Sequence, residues 1–150
     1  DDSVTVRSTG ERPAVYTQAF RDGSVEAVDM RLLRQSPNHT DIQITSVERE
    51  CVESIKRYLS FQQRAGIEPP IIIMMSLLSV CGRSIPSTQY PGGYLPRAVL
   101  YGKKFPFDRD HLILPDVIYD THDQPVTEVM RRAFDALWNA GGYPRSMNYD

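Results

Sequence analysis

Two short clusters hold the side chains best equipped for chemistry, Asp108-Arg109-Asp110-His111 and Asp120-Thr121-His122-Asp123. Carboxylates and imidazoles bind hard cations and zinc, so either cluster could in principle seat a metal ion. The eight residues between them, extended at about 3.3 Å each, would hold the clusters roughly 25 Å apart, too far for one ion to use both. Aspartate also serves turns and caps. Phe105-Pro106-Phe107 and Leu112-Ile113-Leu114 flank the first cluster, which reads as a fixed turn where Asp108 or Asp110 accepts backbone hydrogen bonds or pairs with an arginine. Asp123 is placed to cap the helix that follows it.

Glu26 and Asp29, with Lys56, have the residue types of a metal-dependent nuclease, yet a hairpin with one solvated face carries such acids routinely. Trp138 and Tyr143 near Arg131, Arg132 and Arg145 have the types that stack bases and hold phosphates. Trp138, however, falls on an apolar stripe and reads as core, with Arg131 and Arg132 toward the outer face of the same helix. No Gly-rich phosphate loop, Cys-x-x-Cys, His-Glu-x-x-His or Gly-x-Ser-x-Gly motif occurs.

The elements that must position these residues follow from periodicity and punctuation. Ala14–Phe20 and Val25–Leu33 are rich in β formers and flank Arg21-Asp22-Gly23-Ser24, a hairpin signal because Asp-Gly tolerates positive φ. Ser36-Pro37-Asn38 marks an exposed loop over residues 34–41. Thr45 and Glu48 have the spacing of a capping box, followed by a helix whose apolar positions are Val47, Cys51, Ile55, Tyr58 and Leu59. Glu53 and Arg57 are spaced for an i,i+4 pair on its solvated face, and Gly66 ends it. The apolar run Ile71–Val80 predicts a central strand covered on both faces. Residues 84–96 read as an irregular loop, and Arg97–Tyr101 and His111–Tyr119 as strands, the second marked by Pro115 as an edge or a bulge. Val126, Val129, Met130, Ala133, Phe134, Leu137 and Trp138 keep a three-and-four spacing up to Gly141, predicting a helix that covers the sheet. The order β-β-α-β-β-β-α argues an α+β fold with a mixed or largely antiparallel sheet and two main helices.

A chain of 150 residues with 41% hydrophobic residues can bury a core without staples. Cys51 and Cys81 sit in apolar patterns and are expected as buried free thiols. Seventeen basic against nineteen acidic residues exclude the overall basicity of a typical nucleic-acid binder. The best apolar run is about half the length a bilayer requires, so membrane insertion is not expected. Residues 1–13 are polar and read as a linker from a preceding domain, with residues 14–150 as a single domain of a longer protein.

Three segments also resemble a known family when taken together: residues 68–78, running from Glu68-Pro69-Pro70 to Met74-Met75-Ser76-Leu77-Leu78; Phe107-Asp108-Arg109-Asp110-His111-Leu112-Ile113-Leu114-Pro115; and residues 134–150, which include Trp138-Asn139-Ala140-Gly141-Gly142-Tyr143-Pro144-Arg145-Ser146 and Asn148-Tyr149-Asp150. They are similar to the C-terminal region of bacterial DNA-binding or ATP-binding proteins whose N-terminal part is a Schlafen-type Alba-like domain. The similarity runs from about Ala14 to Asp150, and its last segment is the most specific. The resemblance carries over no catalytic residue. It implies a bacterial, cytoplasmic setting and a companion N-terminal nucleic-acid-associated domain in the same parent chain.

The expected role is therefore a non-catalytic accessory or interaction domain of a larger DNA-associated protein, with no cofactor and no resident metal. Its candidate ligand- or partner-contacting residues are Asp108, Arg109, Asp110, His111, Arg145 and Asn148. A homo-oligomer is compatible with this role, whereas direct nucleic-acid contact is not expected of the isolated domain. The competing expectation is a small metal-dependent hydrolase or nuclease built on residues 108–111.

Overall fold

The computed structural model describes residues 4–7, 15–33, 40–86, 89, 105–146 and 148–149. The strand expected at Arg97–Tyr101, most of the loop expected at 84–96 and nearly all of the loop expected at 34–41 lie outside them. Near the N-terminus, β2 (Val15–Ala19) and β3 (Val25–Asp29) form the expected antiparallel hairpin, in register from Val15↔Asp29 to Ala19↔Val25. Its turn works because Gly23 takes φ +87° and because the Asp22 carboxylate accepts from both the amide (2.9 Å) and the hydroxyl (2.7 Å) of Ser24. A Cβ on Gly23 would also collide with the Ile67 side chain. Within the stretch read as a linker, Val4–Arg7 forms a further strand, β1, antiparallel to β2.

α1 (Ile44–Arg64) begins two residues earlier than the Thr45–Glu48 spacing suggests, and this shift removes the capping box. Its N-cap is Gln43, which makes no side-chain cap; the Thr45 amide is met instead by Gln89 Oε1 at 3.3 Å. Glu48 thereby falls on the buried stripe with Ile44, Val47, Val52, Leu59 and Gln62. At the other end Gly66, at φ +80°, closes the helix as expected, and Gln62 Nε2 donates to Gly23 O (2.8 Å), tying α1 to the hairpin turn.

The apolar run Ile71–Val80 is not one strand. It forms β4 (Ile71–Ile73) and β5 (Ser76–Leu78), which pair antiparallel with β7 (Val117–Tyr119) and β6 (His111–Ile113) respectively. Ile73 pairs with Val117 and Ser76 with Ile113, so Met74 and Met75 face three residues, Leu114, Pro115 and Asp116. That mismatch is a bulge, and Pro115, which has no amide proton to donate, sits in it. Side chains alternate along both chains. Leu77, Leu112, Leu114, Val117 and Tyr119 are buried, and Ile71, Ile73 and Met75 pack partly buried against them. Ile72, Met74, Leu78, Ile113 and Ile118 point the other way and are exposed. The expectation of cover on both faces is corrected: the described residues cover one face.

α2 (Val126–Ala140) runs to its expected stop at Gly141 and buries Val126, Met130, Ala133, Phe134, Leu137 and Trp138. It packs against β7 and α1. Gly141 and Gly142 let the chain turn close to Ile85 and Phe105, and the Tyr143 hydroxyl then donates to Ile85 O at 3.0 Å. The α+β class and the succession of hairpin, helix, strands and helix are those expected, and every described ladder is antiparallel apart from an isolated parallel bridge, Asp41↔Ser84.

The cysteines divide. Cys51 is half-buried on α1, and burial, with Glu48 close by, pushes its thiol up to about 12. Cys81 is exposed, in a turn that Gly82 makes at φ +75°, so the expectation of two buried thiols fails there. In the native protein a neutral-pH thiol reagent should modify Cys81 within minutes and leave Cys51 largely unreacted until denaturant is added. Equal native rates would refute this arrangement. Trp138 is fully buried, and Trp138→Ala should cost about 3–5 kcal/mol in urea unfolding. A midpoint unchanged from the parent would contradict the facing of α2.

Candidate functional site

The turn leading into β6 presents Asp108, Arg109, Asp110 and His111 to solvent. Arg109 Nε donates to Asp108 Oδ1 at 2.9 Å, and this hydrogen bond holds the Asp108 carboxyl below its ordinary range. Asp110 lies 3.3 Å from His111 Nε2, while its carbonyl accepts from the Val80 amide (3.1 Å). The cluster is thus a locally paired turn fixed to β5's end, of the kind the flanking apolar residues suggest. Among the described residues, no group of three or more His, Cys, Asp or Glu side chains is placed to hold a metal ion.

Several of the other chemically suggestive residues also have local partners. In the Asp120–Asp123 turn, Gln124 Oε1 accepts from the amides of Asp120 (2.8 Å) and Thr121 (3.4 Å). Asp123 does not cap α2, because Pro125 occupies the N-cap position and Asp123 lies two residues before it. Glu26 accepts from Tyr16, Asp29 pairs with Arg31 at 2.9 Å, and Lys56 pairs with Glu53 at 2.8 Å, the partnership expected instead for Arg57. Arg131 donates to Tyr149 O, and with Arg132, Glu128, Asp135 and Asn139 it lines an open depression of about 570 Å³. Two arginines and two carboxylates share that surface, so it is not a basic patch of the kind that phosphate backbones require.

Arg145 is exposed, whereas Asn148 turns inward and does not join the 108–111 turn. Asn148 Nδ2 donates to Glu48 Oε2, and Trp138 Nε1 donates to Glu48 Oε1 at 2.7 Å. The Ser146 hydroxyl completes the set of donors around this carboxylate, while the Ser146 amide donates to Asp135 Oδ1 at 2.9 Å. Tyr149 stacks on Phe134 with ring centroids 5.9 Å apart, and Tyr143 meets Trp138 edge-on at 5.3 Å. The segment after Gly142 therefore folds back over both helices around one buried carboxylate. Burial pushes the Glu48 carboxyl above its ordinary range; the hydrogen bonds from Asn148, Ser146 and Trp138 pull it down, and Asp135 adds to the rise. The sequence did carry a signal for this role, since Glu48 stands four residues from both Ile44 and Val52 on the helix stripe.

A second feature without a sequence expectation is the outer face of the β4–β7 and β5–β6 ladders. Ile72 and Ile118 are register partners, 62% and 55% exposed, and Ile113 is 75% exposed opposite Ser76. Met74 at 74% and Leu78 at 55% extend the surface along both chains. Large apolar side chains aligned in this way on one face differ from the singly scattered ones ordinary on a protein surface. Of the outward residues on these four strands, His111 alone is ionisable; Asp116 is exposed at the bulge. No known protein family, curated protein or solved structure matches the chain.

Stability should carry the signature of Glu48. Both folded and unfolded chains hold its proton below the unfolded value of about 4.3. As pH rises, the unfolded chain releases its proton first, so the contribution to stability is fully present below that value and is lost through the raised folded value. Glu48→Gln keeps a neutral side chain with both donor and acceptor. Its stability relative to the parent should therefore climb between pH 4 and the folded value in urea titrations, and parallel pH profiles would refute the assignment. Glu48→Ala leaves the Trp138 and Asn148 donors without their acceptor and should cost about 1–3 kcal/mol per orphaned group.

Proposed function

We propose that this chain is a non-catalytic interaction domain that docks a partner on the outer face of its β4–β7 and β5–β6 ladders. The observation that carries this reading is the exposure of Ile72, Leu78, Ile113 and Ile118 on one face of the two ladders, with Met74 exposed at the bulge between them. Scattered apolar residues are ordinary on a surface, but an aligned patch is the pattern of a contact site. The local pairing of Asp108 with Arg109 and of Asp110 with His111 favours this reading over a hydrolase, because an active site needs titratable groups converging in one cleft. The resemblance of the three quoted segments supports a setting in a larger bacterial, cytoplasmic, DNA-associated protein with a Schlafen-type companion domain. In that setting the companion handles nucleic acid and this domain supplies the contact.

Replacing Ile72, Ile113 and Ile118 together by Thr keeps β propensity while removing apolar surface. If the face serves a partner, the triple variant should unfold within about 1.5 kcal/mol of the parent, since exposed substitutions rarely cost more than about 0.5 kcal/mol each. It should also bind less of a fluorescent apolar dye. A loss far beyond that would mean the face belongs to the chain's own core, and the reading would fall. In parallel, the parent should hydrolyse neither nucleotide nor nucleic acid with magnesium or manganese. Turnover abolished by joint Asp108→Asn and Asp110→Asn substitution would install the hydrolase in its place.

A further inference from the structure

The geometry points to a proton-controlled strap: the segment carrying Arg145, Ser146, Asn148 and Tyr149 lifts from α1 and α2 as a unit, and the proton on Glu48 is its catch. The chain just before the strap is anchored independently. Tyr143 is buried, donates to Ile85 O at 3.0 Å and meets Trp138 edge-on, while Gly142 at φ +84° turns the chain into it. Past Tyr143 the holds are of another kind. Asn148 Nδ2 and the Ser146 hydroxyl donate to Glu48, the Ser146 amide donates to Asp135 Oδ1 at 2.9 Å, Arg131 donates to Tyr149 O, and the Tyr149 ring stacks on Phe134. Of the described strap residues only Ser146 is buried, with Asn148 and Tyr149 half-buried. A segment fixed mainly by polar contacts, with little apolar burial, opens more readily than the core beneath it.

Glu48 is the partner whose charge the strap controls. Closed, the strap keeps the carboxyl out of water and supplies two of its three donors, Asn148 and Ser146, the third being Trp138 on α2. Lifting removes those two donors and restores water. Burial outweighs the donors, so the closed strap holds the Glu48 carboxyl above its ordinary range, and closure takes up a proton. The neighbouring groups do not replace it in this role. On α1 the Cys51 thiol, pushed up to about 12 by burial and by Glu48, Asp29 of β3 and Glu50, stays neutral. The Tyr149 hydroxyl is raised by burial, with Arg49 and Glu53 of α1 acting on it in opposite senses. On α2 Asp135 opposes ionisation of Glu48, and Arg131 keeps its positive charge throughout.

The sign follows from linkage. Below the value of about 4.3 that an exposed glutamate carries, open and closed forms both hold the proton, and pH leaves opening unchanged. Above it the open form ionises first, so opening becomes about tenfold easier per pH unit until the raised closed value is passed. Acid fastens the strap. Rising pH releases it and uncovers the Phe134 ring beneath Tyr149.

Hydrogen exchange of the Ser146 amide in the whole chain, followed by NMR from about pH 4 to about pH 8 and corrected for intrinsic rates, reads this opening. Its protection should fall by about tenfold per pH unit above about 4.3 and then level off. In low urea it should stay constant while that of the Val52 and Leu59 amides inside α1 declines, because lifting the strap exposes little surface and global unfolding exposes much. Glu48→Gln should abolish the pH slope, and Asp135→Asn should keep it. Should Glu48→Gln fail to fold by circular dichroism, the Glu48 carboxyl carbon of the parent replaces it, with a titration midpoint expected where the slope levels. Ser146 protection that is flat with pH, that falls with urea as steeply as that of Val52 and Leu59, or whose slope survives in Glu48→Gln would overturn the inference. So would a Glu48 midpoint away from the levelling point.

Discussion

The contact on which the rest of the structure depends is the buried hydrogen bond between Trp138 Nε1 and Glu48 Oε1. It joins α2 to α1 across ninety positions of sequence, and both residues are wholly out of water. A buried carboxyl is costly unless its oxygens are satisfied, and here three donors converge on it from two separate parts of the chain. The indole in turn needs an acceptor when buried, and Glu48 supplies it. Each group thus makes the other's burial tolerable. Asn148 and Ser146 are drawn into the same network, which fixes the course of the C-terminal segment over the two helices.

From that junction the apolar packing follows outward. Trp138 meets Tyr143 edge-on, Tyr143 reaches Ile85 O, and the Gly141-Gly142 turn lets Ile85 and Phe105 approach where any Cβ would intrude. On the opposite side α2 lies on β7, whose inward residues Val117 and Tyr119 continue the core toward Leu112 and Leu77. The bulge at Pro115 breaks pairing between the two ladders, but buried residues still alternate with exposed ones on either side of it.

Legibility in the sequence tracked how local each determinant is. The Asp22-Gly23 hairpin and the stripe ending at Trp138 and Gly141 were readable because a turn dipeptide and a three-and-four spacing act within a few residues. Thr45 and Glu48 matched a capping box by spacing, yet a helix beginning at Ile44 turns Glu48 to the core, and the partners that make this bearable lie 90 and 100 residues away. Cys81 was misplaced because Val80 before it is core while Gly82 turns the chain outward immediately afterward. For the site, the polar turn at Asp108 to His111 was visible as a turn, and Asn148 was singled out, though as a contact residue and not as a ligand of Glu48. The outer face of the ladders escaped altogether, since apolar residues at both parities of a strand do not say which parity the chain covers itself.

The polar junction inside and the apolar face outside are physically linked. Apolar contacts alone are non-directional and let helices slide, whereas a carboxylate held by an indole and an amide from distant segments accepts one arrangement of α1, α2 and the C-terminal segment. β7 rides on α2, and Ile118 projects from β7 between the buried Val117 and Tyr119. The direction in which Ile118 points is therefore set by the same packing that seats Trp138. A face held in this way spends little conformational entropy when it is covered. The buried carboxylate contributes less by its own net stabilisation than by holding the outer strands in one geometry.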